Sequence, residues 1–575
     1  MKFGDLSIYL SRLESTTKRL EMFDILSEAF SKVDKNEIGK AVYFIQGEPA
    51  PSFYGIQIGM ADKIVEKAIS MAYVEGIEKV KTSSKKIGDL GEVAEKLDKQ
   101  KSYSNLTITA VYDSILKLSK MTGEGSTEEK INELAECLKK VAPLEAKYIV
   151  RFVLGKLRLG IGNATIMEAL SKAKTNDRKF KPELEKAFNL CSDLGYVAEL
   201  FYSKGEEVIK RFQVEVMRPI RPALAERLNT PRKILEKLGR CALDQKFDGF
   251  RAQVHKEGDK VKVFSRNLED ITSFMPEIVE AVRRLSEKTI IFDSEALSYD
   301  EDTGTLYPFQ VTIHRKRKHD IEEASQKFPL RLFVFDVMFL NGKSLIDEPY
   351  TARRETVERI FKDSGSVISP SKIIITDKED DFIRFFDETI SSGLEGVVAK
   401  RLSSGYSAGA RNFNWIKIKR SYKSKLNDTI DVVILGYFRG RGSRARFGIG
   451  AILAGVYDER TDTFKTITKV GSGFSEDQLK QMKSALDSVK VDHKPARVDS
   501  MIEPDFWVQP EYVITVKADE ITNSPIHTAG MENGVGYALR FPRAVSFIRA
   551  DKNADDANTV KEIKEMFKQQ KTVKI

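Results

Sequence analysis

The sequence predicts three successive domains of different class: an all-α N-terminal domain over 1–216, a mixed α/β domain over 217–424 and a small C-terminal β-barrel over 425–575. Three observations carry this reading. Apolar residues recur at helical spacing as far as residue 215. Two prolines within four residues then mark a break in composition, and from residue 428 onward short strands are punctuated by glycine. A chain of 575 residues is also too long for one hydrophobic core, and length alone argues for roughly two to four domains.

In the N-terminal region Ser126-Thr127-Glu128-Glu129 reads as a capping box that pairs Ser126 with Glu129. Ile131, Leu134, Leu138 and Val141 follow at helical spacing, as do apolar residues over Leu20 to Phe30 and Val197 to Val208. Gly160-Ile161-Gly162-Asn163 opens a further helix. Gly160 and Gly162 would expose backbone N–H groups at a helix N-terminus, where a nucleic-acid phosphate can sit; a plain glycine turn between two helices fits the same residues.

Met217-Arg218-Pro219-Ile220-Arg221-Pro222 reads as an extended linker. Beyond it, strands are expected at Val261 to Phe264, Thr289 to Leu297, Leu330 to Met338 and Gly396 to Lys400, with helices at Pro276 to Leu285 and Thr351 to Asp363. The last region offers short strands at Asp431 to Tyr437, Ala451 to Tyr457, Thr463 to Lys469 and Tyr512 to Ala518, then a terminal helix at Thr559 to Lys568.

Composition narrows the functional classes. A hydrophobic content of 41% with 31% charged residues describes a soluble globular chain, and a net charge of +9 permits a polyanionic partner. No apolar run is long enough to span a membrane and no signal-peptide pattern opens the chain, so a cytoplasmic protein without membrane contact is expected. Three scattered cysteines exclude a four-cysteine zinc site and argue against a disulfide framework, and the five histidines show no ligand spacing.

The chemistry centres on Lys246-Phe247-Asp248-Gly249-Phe250-Arg251, a lysine on a strand that turns into a loop. A nucleophilic lysine needs burial or nearby positive charge to lower its pKa, and Arg251, Lys417 and Lys419 are candidates for that charge. Its companions are Arg266 after a strand, Asp293 and Glu295 on one strand face, and Phe335, whose ring can stack a base. Glu395 stands before a strand, and Trp415, Lys417 and Lys419 share a face just after Arg411. Together they supply an amine, carboxylates for a divalent cation, cations for a triphosphate and an aromatic ring: the equipment for moving a nucleotidyl group onto lysine.

These segments, in this order, resemble the motifs of the covalent nucleotidyltransferases: ATP-dependent DNA ligases, RNA ligases and mRNA capping enzymes. Asn414 to Lys419, Asp431 to Gly436, Gly440-Arg441-Gly442, Val470 to Phe474, Leu539 to Arg543 and Arg549 to Lys552 resemble the archaeal and eukaryotic replicative type of DNA ligase. The resemblance implies a helical DNA-binding domain, an adenylation domain and an OB-fold barrel. It implies that Lys246 attacks ATP, that Asp244 contacts adenine in place of the family's usual Glu, and that Arg251 and Arg266 bind ribose or phosphate. Glu295 would hold ribose or metal, Phe335 would stack on adenine, Glu395 would help hold Mg²⁺ or Mn²⁺, and Arg411, Lys417 and Lys419 would bind the triphosphate. Arg540 and Arg549 to Lys552 would act in the adenylation step. The implied partner is nicked duplex DNA, sealed in replication, repair and recombination by a monomer, with segments near 217–222 and 420–428 as hinges.

Two further contacts are expected. Arg315, Lys316 and Arg317 form a basic loop suited to nucleic-acid phosphates, although a solvated loop has the same composition. Gln100 and Tyr103 resemble a sliding-clamp-binding motif, with Ser104 in place of its second aromatic residue. An RNA-end nucleotidyltransferase is disfavoured by the long helical N-terminal region, and a non-catalytic nucleic-acid-binding protein by the intact Lys246, Glu295, Glu395 and Lys417.

Overall fold

A computed structural model gives the fold and describes residues 1–99, 104–157, 159–299, 328–419, 429–440 and 447–571. The N-terminal region is helical from Phe3–Glu14 to Glu206–Lys210, the middle region is mixed α/β, and the C-terminal region is an OB-like β half-barrel. No helix among the described residues is long and apolar enough to cross a membrane.

Two local expectations fail for identifiable reasons. Ser126 is already the first helical residue of Ser126–Leu138; Gly125, at φ +82°, takes the cap position and no side chain caps the helix. The capping box forms instead at Ser475, whose Oγ accepts from the Gln478 amide while its own amide donates to Gln478 Oε1 at 2.9 Å. The apolar pattern from Val197 to Val208 is not one helix, because Gly205 at φ +88° separates Leu194–Lys204 from Glu206–Lys210.

The middle region is built on two sheets. One orders Leu224–Arg227, Arg411–Lys419, Gly396–Arg401, Cys241–Lys246 and Ile373–Thr376; the other contains Lys260–Phe264, Phe250–Glu257, Thr289–Ser298 and Leu330–Leu340. The chain passes from the first to the second through Phe247-Asp248-Gly249. Phe247 is buried against Leu297 and Leu394 and stacks on Phe333 at 4.4 Å between ring centres. A Cβ on Gly249 would lie 2.5 Å from the Ala296 carbonyl oxygen, so the crossing accepts only glycine. Pairing then fixes the site: Lys246 lies opposite Gly396, and Arg251 opposite Glu295.

In the barrel, Thr429–Phe438 pairs with Ala451–Asp458 and with Val513–Lys517, and Ala451–Asp458 pairs with Thr463–Val470. The terminal helix Val560–Lys571 packs against this barrel and reaches the middle region. The N-terminal region also touches the barrel, where Arg19 donates to the Thr461 carbonyl at 2.7 Å.

The segment 217–222 is not the free linker its prolines suggest. The Met217 amide donates to His255 Nδ1 at 3.0 Å, and Gln253 exchanges two hydrogen bonds with the Ile220 backbone at 2.7 and 2.9 Å. On the helical side Ser192 donates to the Pro219 carbonyl, Arg221 N–H donates to the Asn189 carbonyl, and Arg218 pairs with Asp193 at 2.9 Å. Burial pushes His255 down to about 3, so its ring is neutral and Nδ1 is an acceptor throughout the physiological range. The other expected hinge, 420–428, lies outside the described residues.

Gln253→Ala leaves the buried Ile220 amide and carbonyl unpaired, at a cost of about 1–3 kcal/mol. The expected outcome is a lower melting temperature and faster proteolysis within 217–222; an unchanged melt and cleavage pattern would show that this clamp is not holding the segment.

Candidate active site

A cleft of about 620 Å³ lies between the two sheets of the middle region and is closed on one side by the barrel. It gathers most of the residues that the sequence nominated: Asp244, Lys246, Arg251, Arg266, Glu295, Phe335, Glu395, Arg411, Lys417 and Lys419 all line it.

Lys246 stands at the end of its strand. Its Nζ lies 2.6 Å from Glu395 Oε2, while Lys419 contacts the other oxygen, so Glu395 bridges two ammonium groups. Burial pulls the Lys246 amine down, but the Glu395 and Glu295 carboxylates outweigh it and leave the amine above the ordinary lysine value. This reverses the expectation that cationic neighbours keep the amine neutral. Arg251 points elsewhere, and the nearer cation, Lys419, shares the same carboxylate. Burial acts to raise Glu395, yet Lys246 and Lys419 together bring it down to about 2.

Glu295 is different. Burial pushes it up to about 7, with Lys246 and Arg251 opposing, and no hydrogen bond or ion pair engages it among the described residues. Its charge nevertheless acts on the Lys246 amine. No group of three or more His, Cys, Asp or Glu side chains that could hold a metal ion occurs among the described residues. Glu295 and Glu395 offer carboxylate oxygens, the donor type a hard divalent cation takes, although Glu395 is engaged by two lysines.

At the inner end, the Phe335 ring lies 6.2 Å from Trp415, edge to face. Arg251 departs from the ribose or phosphate role expected of it. Its guanidinium forms a two-point pair with buried Asp293, donates to the Ala223 carbonyl at 2.8 Å and reaches the Tyr406 hydroxyl. It braces the cleft wall instead of offering a free charge. Asp244 is buried, and its Oδ2 accepts from Lys400 Nζ at 2.7 Å.

At the barrel end, Arg411 is also spent. Its guanidinium, 6% exposed, meets Glu562 of the terminal helix at 2.8 Å, and Lys561 beside it reaches Glu226 at 2.6 Å. Arg411 therefore clasps the barrel in this arrangement and is not open to a triphosphate. Burial pushes Lys417 well below the ordinary lysine value, with Glu562 opposing, and no described residue pairs with its amine within bonding distance. Burial and Lys246 also lower Lys419. Arg266 lies 3.4 Å from Asp556 of the barrel. Lys552 contacts Asp431, and Arg549 pairs with Asp551 at 2.6 Å. Arg540 lies outside the cleft, paired with Glu520.

The remaining nominations fall elsewhere. Gly160, at φ +64°, faces Gln509, and a Cβ on Gly162 would lie 2.7 Å from Asp462 and 3.2 Å from Arg497, so this loop packs on the barrel and not on open surface. Gln100, Tyr103, Arg315, Lys316 and Arg317 lie outside the described residues. Sequence reasoning missed Lys400 and Asn558, which also line the cleft, as does Lys552 of the nominated Arg549 to Lys552 run. Lys400 ends the Leu394 to Lys400 run already singled out, and its place on an otherwise apolar strand was the available signal.

Two outcomes follow from these charges. Glu395→Gln removes the main influence holding the Lys246 amine up and leaves burial dominant. Competitive acylation at pH 8 should then modify Lys246 several-fold faster than in the parent; an equal or slower rate contradicts the electrostatics. Glu562 is buried, but Arg411 and Lys417 hold it down to about 2. A carboxyl lowered on folding stabilises above its unfolded pKa and loses that contribution as pH falls through the folded one. The clasp should hold from neutral pH down to about 4.5 and release toward pH 2, read as an increase in radius of gyration by small-angle scattering; release already at pH 5 to 6 contradicts it.

Comparison with known proteins agrees along the chain. Residues 222–419 match the profile of the ATP dependent DNA ligase domain, residues 2–171 that of the DNA ligase N terminus, and residues 445–552 that of the ATP dependent DNA ligase C terminal region. A protein described as a probable DNA ligase from Dictyoglomus thermophilum is 50% identical over 100% of this chain and 99% of its own. DNA ligases from Sulfurisphaera tokodaii and Saccharolobus solfataricus are 43% and 41% identical, over 99% and 100% of this chain and 98% of each relative. A cleft that sets a lysine among carboxylates, amines and an aromatic ring thus sits in a chain related to DNA ligases from end to end, and the chain belongs to the ATP-dependent DNA ligases.

Proposed function

We propose that this ligase seals 3′-hydroxyl/5′-phosphate nicks in duplex DNA through a lysyl-AMP and then a DNA-adenylate, with Lys246 as the nucleophile. The observation that supports this best is the convergence of Lys246, Glu295, Phe335, Glu395, Lys417 and Lys419 on one cleft.

The Lys246 ammonium must first lose a proton; Glu395, 2.6 Å away, holds the amine in place but is too weak a base to keep that proton, which passes to solvent. The amine lone pair then forms a bond to the α-phosphorus of ATP as the bond to the bridging oxygen breaks, and pyrophosphate leaves. Lys417 and Lys419 neutralise the charge that accumulates on the phosphates. Phe335 packs against the base, and Arg251 and Asp293 keep the wall behind it rigid. In the second step a DNA 5′-phosphate oxygen takes the adenylyl group from Lys246. In the third, the 3′-hydroxyl attacks that phosphate and AMP leaves. A bound Mg²⁺ or Mn²⁺, held by Glu295 with Glu395, would supply charge neutralisation at the transferring phosphoryl group.

Arg411 enters the phosphate site only when the terminal helix withdraws Glu562, so the barrel must move during the cycle. DNA binding is read as phosphate-directed and salt-sensitive, without base specificity. The reading includes a monomer, domains dividing at 216/217 and 424/425, DNA contacts by Gly160, Gly162 and Arg315 to Arg317 in an open arrangement, and sliding-clamp contact through Gln100 and Tyr103.

The test is a nick-sealing assay with ATP, ADP and NAD in parallel, on DNA and on an RNA nick. Sealing of DNA with ATP is expected, and Lys246→Arg should abolish it while melting like the parent, because a guanidinium stays protonated. Undiminished sealing by that variant contradicts the role of Lys246, and sealing confined to RNA contradicts the substrate.

A further inference from the structure

Lys400 is an expensive residue to bury. Its side chain is 2% exposed, and its Nζ lies over the rings of Phe335, Tyr350 and Trp415 at 4.8, 4.9 and 4.5 Å. A charge taken out of water at such a cost needs a partner. That partner is Asp244, across 2.7 Å to Oδ2, with the Phe335 carbonyl at 3.1 Å as second acceptor. The ion pair lies at the aromatic end of the cleft, away from the Lys246–Glu395 bridge, and both of its members line the cleft. The other carboxylate oxygen, Asp244 Oδ1, is buried with no hydrogen-bond partner among the described residues. A buried acceptor left unpaired costs free energy, so a donor is expected to arrive with the ligand.

We propose that Lys400 is a positioning residue that sets nucleobase choice by engaging Asp244 Oδ2 and presenting Oδ1 as the unengaged acceptor. The inference rests on the reading of this cleft as the ATP site. A carboxylate with both oxygens free accepts the two adjacent donors, N1–H and the 2-amino group, on the Watson–Crick edge of guanine. With Oδ2 engaged by the Lys400 ammonium, Oδ1 is the one oxygen of Asp244 that has no donor among the described residues. That suits the lone 6-amino donor of adenine and leaves guanine's second donor unpaired; a 6-oxo group turned toward Oδ1 meets an acceptor with an acceptor. Selection therefore comes from the oxygen that Lys400 removes as well as from the oxygen it leaves.

A water is the rival occupant. The Tyr350 hydroxyl is also buried without a partner among the described residues, and a water held between it and Asp244 would satisfy both groups with no part in base choice. The two accounts separate in a self-nucleotidylation assay with α-labelled ATP, GTP and inosine triphosphate, using the full chain as parent, Lys400→Met, Lys400→Arg and Asp244→Asn. The expected result is at least a tenfold fall in the ATP-over-GTP preference of kcat/KM for Lys400→Met, with GTP gaining more than inosine triphosphate, which lacks the 2-amino donor. Lys400→Arg, which can keep the ion pair, should retain most of the preference, and Asp244→Asn should lose it. A Lys400→Met protein that melts cooperatively and labels less with all three nucleotides in equal proportion overturns the proposal and supports the water. Should Lys400→Met fail to fold, an unchanged preference in Asp244→Asn overturns it equally. Absence of label from ATP in the parent chain would instead sink the ATP-site reading itself.

Discussion

The site depends on one crossing, where the chain leaves the first sheet at Lys246 and enters the second at Phe250. Gly249 passes so close to the Ala296 carbonyl that no side chain fits, and Phe247 plugs the gap between the sheets against Phe333. The Glu395 amide donates to the Lys246 carbonyl at 3.0 Å and ties the turn to the neighbouring strand. This geometry puts the lysine of one sheet over the carboxylate of the other, with Glu395 between two amines. Shift the crossing, and both the Lys246–Glu395 bridge and the Arg251–Glu295 register are lost together.

Charge within the cleft is arranged by pairing more than by open display. Glu395 bridges Lys246 and Lys419, Asp293 holds Arg251, Asp244 holds Lys400, and Glu562 holds Arg411. Each pair satisfies groups whose burial would otherwise be costly. Two pairs are fixed parts of the wall and two lie where a nucleotide or a moving domain can exchange them. On the proposed reading, protein carboxylates engage the cations that substrate phosphates would claim, and an adenylation cycle exchanges one anion for another.

How much of this was legible in the sequence depended on the range of the contact. Strands with strong alternation, such as Thr289–Ser298 and Arg411–Lys419, and the domain classes were read correctly from local pattern. Lys246, Glu295, Phe335, Glu395 and Lys417 were nominated as a set, since no one of their short runs is specific alone, and all five line one cleft. Partners distant in sequence were not legible: nothing near Arg411 announces Glu562, 151 residues away, and nothing near Asp244 announces Lys400 at 156. The prolines at 219 and 222 suggested freedom, and the clamp that removes it comes from Gln253 and His255 on another strand. Ser126 failed as a cap because the preceding glycine adopts a left-handed conformation that an S-x-x-E pattern does not encode.

A covalent adduct decides the role of Lys246 most directly. The protein is incubated with α-labelled ATP and Mg²⁺, quenched and digested, and the labelled peptide is sequenced by mass spectrometry. The expected result is an acid-labile AMP on Lys246, discharged when nicked DNA is added. Label on another lysine, or nick sealing without any protein-bound AMP, would contradict it.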